Sequence, residues 1–295
     1  MTKLKTQLEN AAEIKATLQR LNIRHTIDDV DVECCVVYLP CSNGVCDTAL
    51  LFEIIKNGLL TNFALSYSEI QKKLAFAPDD AVEALLNKSI RKLSKKTAHG
   101  ELGELLLFTI LDVYLTAPKI LSKISLKTSP RMPVFGADAV HAQYIDGNLR
   151  LYLGESKLYK NFNSAKTKAL KSIQTSFDQY GQDFDLIESY MDFPEMTPQG
   201  QHELIKLLNP FTRDAVFSPD MLYTPCFIGF EDPKLFANNN NYINRYKIVA
   251  KSHLDSFYNS AQRVGVSPHK TALLILPFSS IKELVLGFVD YMEIA

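Results

Sequence analysis

The chain has 295 residues, 46% of them hydrophobic, enough for one large packed core or a core with a smaller appendage. Its 32 basic and 33 acidic residues leave a formal net charge of −1, which excludes a global field for nucleic acid or an anionic membrane; any attraction to phosphate must be local. No apolar run approaches the roughly 20 residues that span a bilayer, and the start, MTKLKTQLENAAEIKATLQRL, reads as a charged amphipathic helix without a signal-peptide core, so the expectation is a cytoplasmic protein with no membrane partner.

Residues 1–95 are expected to form a mainly helical N-terminal region suited to docking a partner. Its first helix is followed by a strand around Val32 to Leu39, then by helices through DTALLFEIIKNGLL, SYSEIQKKLA and DDAVEALLNKSIRKLSKK, whose apolar residues recur at three and four. Asp79 after Pro78 marks a helix start. Five cysteines, an odd number, imply no disulfide framework. Four of them, Cys34, Cys35, Cys41 and Cys46, lie close together but lack CxxC spacing. Strand alternation sends Cys34 and Cys35 to opposite faces, so they read as small core residues rather than a zinc site. The run RKLSKKTAHG changes the character of the chain and places a soft boundary near residue 95.

Residues 96–295 are expected to form the second unit. GELGELLLFTILDVYL has helical spacing, and VFGADAVHAQYI and LRLYLGESKLY read as strands joined by DGN, an Asp-Gly hairpin signal. A helix follows in SAKTKALKSIQTSFDQYG, closed by Gly181. Further helices are expected in DFDLIESYMDF, TPQGQHELIKLL and YINRYKIVAKSHLDSFYNSAQRVG, with strands in LYTPCFIGFED and TALLILPF and a loop at the asparagine run 238–241. This order predicts an α/β (α+β) fold with a mixed central sheet flanked by helices.

On the second hairpin strand, Glu155 and Lys157 project to one side while Ser156 turns away. Asp138 lies on the partner strand, and Gly136 beside it permits a bend that aims it at the pair. Upstream, Glu101 and Glu104 are three apart on one helix and share a face. Hard oxygen ligands from Asp138, Glu155 and one of the two helix glutamates suit Mg²⁺, and Lys157 suits positioning a water or offsetting charge on a phosphate: the chemistry of phosphodiester hydrolysis without a covalent nucleophile. The acid-x-Lys triplet alone is weak, since Glu13-Ile14-Lys15 and Asp232-Pro233-Lys234 also satisfy it. Only Glu155 and Lys157 follow a helix glutamate and a strand aspartate in order.

This order, Glu104, Asp138, Glu155, Lys157, resembles the PD-(D/E)xK nuclease superfamily, with PVFGAD in the place of its Pro-Asp element and GESK in the place of its second motif. GELGELLLFTIL, FGADAVHAQ and LGESKLY resemble more closely the HamA family, the nuclease subunits of the Hachiman anti-phage defence system. The match covers about residues 98–180. The resemblance implies a restriction-endonuclease-like core, a Mg²⁺-dependent deoxyribonuclease (Mn²⁺ a possible substitute) in a bacterial cytoplasm, and a HamB-like helicase partner that restrains it. The sequence departs from the pattern at one point: Pro133 is separated from Asp138 by VFGA, which leaves Asp146 in the turn as a poorer alternative ligand.

Each residue also has a plainer role. Glu155 and Lys157 suit a surface ion pair, and Glu101 and Glu104 suit the positive end of their helix. His141 suits a hydrogen-bonded sheet histidine as well as an accessory site residue. Gln174 suits a solvated helix face as well as a site-facing one. For DNA contact the local basic residues are Lys160, Lys166, Lys168 and Lys171 after the motif, and Lys88, Arg91, Lys92, Lys95 and Lys96 before the glutamate helix; a solvated face accounts for them too. The leading expectation is a DNase effector of a defence complex. The alternatives are a restriction- or repair-type endonuclease outside defence and a non-catalytic adaptor that docks DNA.

Overall fold

The computed structural model describes residues 10–42, 45–76, 78–127, 137–145, 147–175, 198–209, 211–237 and 241–294. In chain order these form α1 (Ala11–Thr17), β1 (Gln19–Leu21), β2 (His25–Ile27), β3 (Val30–Val32), β4 (Cys34–Tyr38), β5 (Cys41–Ser42), β6 (Val45–Cys46) and α2 (Thr48–Ile54). A π-helical turn, Ile55–Leu59, joins α2 to α3 (Leu60–Ala64), followed by α4 (Tyr67–Phe76), α5 (Pro78–Ile90), α6 (Ala98–Leu115), β7 (Lys119–Ser122), α7 (Lys123–Leu126), β8 (Ala139–Ile145) and β9 (Asn148–Tyr159). The chain continues through α8 (162–175), α9 (Pro198–Leu208), α10 (Arg213–Val216), β10 (Leu222–Tyr223), β11 (Cys226–Glu231), α11 (Pro233–Phe236), α12 (Tyr242–Arg263), β12 (Leu273–Phe278) and α13 (Ile281–Tyr291).

The expected mixed sheet flanked by helices is present. One eight-stranded sheet runs β1-β4-β12-β11-β9-β8-β7, with β10 also against β9. β4, β12, β11 and β9 are parallel, while β1 and the β7-β8-β9 meander are antiparallel to their neighbours. The hairpin read from DGN joins β8 to β9, and Gly147 in it has φ +83°, which a side chain would resist. Asp146 lies outside the described residues, as do Pro133, Gly136, Gly181 and the helix expected at 183–193.

Both faces of the sheet are covered, which is why its central strands read as near-continuous apolar runs. On one face α6 packs with α2, α3 and α13 over Cys35, Val37, Phe227, Leu274 and Leu276. On the other, α8 and α12 cover Cys34, Val36, Cys226, Ile228 and Ile275. α12 shows how: Tyr246, Ala250, Leu254, Phe257, Tyr258 and Ala261 are buried along one stripe at helical spacing. Cys34 and Cys35 thus fall in opposite cores, as the alternation predicts.

Among the described residues, the first 95 hold six short strands beside their helices, and β1 and β4 extend the sheet that carries β9. Alternation in VECCVVYL marks β4, but nothing local in the sequence shows which sheet it joins. The cysteine count also needs correction: Cys41 and Cys46 form a disulfide. They stand directly opposite in the β5-β6 hairpin, a register that counting cysteines does not reveal. Among the described residues no helix is long and apolar enough to cross a membrane.

Candidate active site at the free edge of β9

β9 changes partners at its middle. Up to Gly154 it pairs with β8, and from Glu155 onward it pairs with β11 on the opposite side, so beyond Gly154 no strand among the described residues pairs with the edge that faced β8. Asp138, in the bend before β8, closes the last rung by donating its backbone N–H to the Gly154 carbonyl at 3.0 Å. Its carboxylate then stands in for the missing strand: Oδ2 accepts from the Ser156 N–H at 2.8 Å and from Ser156 Oγ at 3.1 Å. Oδ1 accepts from Lys123 Nζ at 2.8 Å.

Glu155 and Lys157 project to the face that carries Cys226 and Ile228, their register partners, and their side chains are hydrogen-bonded as an ion pair. Ser156 turns to the α6 face, as expected of alternation, where a Cβ on Gly103 would lie 3.4 Å from its Oγ. Gly103 thus lets α6 run close to β9 and sets the next residue, Glu104, at the open edge. Glu104 on one face of the sheet and Glu155 on the other therefore both lie near enough to Asp138 to feel its charge. No hydrogen-bond partner of the Glu104 carboxylate is found among the described residues.

The electrostatics follow from that crowding. Glu104 is partly exposed at its surface but densely surrounded by protein; desolvation, and then the Asp138 charge, push its carboxyl up to about 8, with Lys123 opposing. Burial and Asp138 push Glu155 up to about 7, against the pull of Lys157. Burial alone would lower Lys157, but the Glu155 charge and hydrogen bond outweigh it and hold the ammonium above its ordinary range. Lys123 is raised in the same way by Asp138.

Other expected residues fall differently. Glu101, one turn before Glu104, is buried and saturated: it accepts from Thr97 Oγ1 at 2.6 Å, from the Ser94 N–H at 3.2 Å and from Lys127. It closes the turn that starts α6. His141 is fully buried, its Nδ1 is 2.6 Å from the Ala117 carbonyl, and desolvation holds it down to about 3, so it is a neutral sheet histidine. Gln174 donates to the Val264 carbonyl and ties α8 to the end of α12.

The basic stretch after the motif reaches the strand at Tyr159, two residues past Lys157. Lys168 lies 4.8 Å from the Tyr159 ring centre and donates to its hydroxyl, while His99, at the start of α6, contacts the same ring edge-on at 6.3 Å. Lys95, Lys96, Lys160 and Lys171 are exposed, whereas Lys166 is bonded to Ser256, Lys92 to the Ser125 carbonyl and Lys88 to Glu69. Sequence reasoning missed Lys123, and it set Ser156 aside as pointing away, although both fix Asp138. No local pattern marks Lys123, because its partnership with Asp138 comes from strand pairing.

The chemistry of the donor set fits a hard divalent cation: three carboxylates, two of them destabilised as anions and one without a hydrogen-bond partner among the described residues, in the surroundings of a lysine. Among the described residues no three acidic, histidine or cysteine side chains stand close enough to hold a metal ion, and Asp138 and Glu155 are each paired with a lysine. A family model described as HamA matches residues 15–291, nearly the whole chain. No curated protein is similar enough to match.

Proposed function

This chain belongs to the HamA family, associated with Hachiman anti-phage defence, and from that premise we propose that it is the metal-dependent DNase effector of a defence complex. The observation that supports this reading best is the gathering of Asp138, Glu104 and Glu155 beside Lys157 at the free edge of β9, where burial and mutual repulsion raise two of the carboxyls. Such a site gains from a cation that neutralises it. In the proposal, Asp138 through Oδ1, Glu155 and Glu104 would hold Mg²⁺, or Mn²⁺ in its place. When bound, the ion supplies positive charge to phosphate oxygens and an acidified water.

The chain's own groups do the rest. Ser156 holds Asp138 by two hydrogen bonds, so the carboxylate is oriented before substrate arrives. Lys157, once released from Glu155, donates to the phosphate oxygens on which charge develops, or to the attacking water. Exposed Lys95, Lys96, Lys160 and Lys171, together with Lys168 at Tyr159, offer a track for the sugar-phosphate backbone without reading bases. Because the track is short and the net charge near zero, a helicase partner of the HamB kind is proposed to deliver DNA and restrain cleavage.

The test is cleavage of plasmid and linear duplex DNA by the purified chain, alone and with its helicase, in Mg²⁺ or EDTA. Glu155→Ala and Lys157→Ala are each expected to cut activity by about 10²- to 10³-fold while remaining folded. Cleavage that survives EDTA, or that Lys157→Ala leaves intact, would sink the reading.

A further inference from the structure

The geometry points to Lys123 as a built-in stand-in for the metal: its ammonium sits on the Asp138 oxygen that a divalent cation would take and must be displaced before the site is competent. This inference rests on the metal-dependent reading above. Asp138 has two oxygens with separate duties, Oδ2 being held by Ser156 and Oδ1 by Lys123. Oδ1 is therefore the position left for an incoming ion, and a cation of the protein already sits there at 2.8 Å.

The contact is built by the fold. Strand register sets Ser122 opposite Ala139, so the next residue on β7's side, Lys123, lies beside Asp138, the residue before β8. The segment is anchored from the N-terminal region: Ser122 Oγ donates to the Phe63 carbonyl at 2.6 Å, buried Lys119 donates to the Leu65 carbonyl at 2.8 Å, and Lys92 holds the Ser125 carbonyl at 2.7 Å. These contacts surround Lys123 in sequence on both sides and come from α3, from the residue that ends it, and from the turn after α5. Lys123 is thus a positioning residue through which the helices of the first 95 residues reach the site.

An ammonium and a divalent ion compete for one oxygen, so removing the ammonium while keeping the length of the side chain strengthens metal binding. A guanidinium, which grips a carboxylate through two N–H groups, weakens it. The experiment is calorimetric titration of the metal-free full-length chain with Mn²⁺, without DNA. Lys123→Met is expected to bind about tenfold tighter than wild type and Lys123→Arg several-fold weaker, with thermal melts checking that both are folded. Equal or weaker binding by Lys123→Met, or equal or tighter binding by Lys123→Arg, overturns the inference, and the arginine variant decides alone if the methionine variant does not fold. Asp138→Asn and Glu155→Gln separate the two readings: if neither changes Mn²⁺ binding, the metal site itself is wrong. If both abolish it while Lys123→Met leaves it unchanged, only the role of Lys123 fails.

Discussion

The two halves of β9 contrast one backbone in two uses. Leu149, Leu151 and Leu153 point into a dry cluster with Leu204, Leu207 and Leu222, and this half is paired with β8 along its whole length. Two residues past Leu153 the same face carries Glu155 and then Lys157, and no strand among the described residues pairs on the β8 side. The first half stabilises the fold through apolar burial, while the second collects buried carboxylates that weaken it. A strand therefore becomes a site where its neighbour stops, because an edge with unpaired N–H groups can accept an aspartate in place of a strand.

Substitutions in the second half should change chemistry and spare stability. Glu155→Gln is expected to lose cleavage by about 10²- to 10³-fold with no loss of Tm, since the removed charge was disfavoured by burial; plasmid cleavage beside thermal melts reads both. Leu151→Ala in the first half should do the reverse, costing about 2–5 kcal/mol in urea unfolding through the cavity it leaves, with the residual folded protein still cleaving.

The carboxyls make a pH test of intermediate size. Folded Glu104 and Glu155 keep their protons up to about 8 and about 7, whereas the unfolded groups release them near 4.5. Within that window the folded state binds more protons, so the metal-free chain should lose Tm as pH rises from 4.5 to about 8. Glu104→Gln should flatten this slope, and so should added Mg²⁺; an unchanged slope in Glu104→Gln would remove Glu104 from the cluster. The smallest effects belong to the surroundings. Ser156→Ala keeps the backbone bond to Asp138 and loses only the hydroxyl bond, for about 1 kcal/mol in unfolding. Lys168→Ala should weaken DNA binding for all sequences alike and reduce the salt slope by about 1.

Much of this was legible along the chain because it depends on local periodicity. Period-two alternation puts Glu155 and Lys157 on one face and Ser156 on the other; the Asp-Gly turn makes the hairpin; apolar spacing makes α6. Glu101 and Glu104 show where that reading stops. They are one turn apart on the same helix and equally suited to the site by spacing, yet Thr97, Ser94 and Lys127 occupy Glu101 and leave Glu104 at the open edge. Which of the two faces the cluster is decided by the approach of α6 to β9 at Gly103.

By itself the sequence determined the mixed α/β layering, the β8-β9 hairpin and the acid-x-lysine pair, since each follows from neighbours within a turn or a strand. Tertiary structure alone decided that β1 and β4 complete the sheet, that Cys41 and Cys46 join, and that Lys123, 15 residues before Asp138, lies on its carboxylate. Those contacts arise from strand order and register, which are set by the burial of two whole faces and leave no mark in any short stretch of residues.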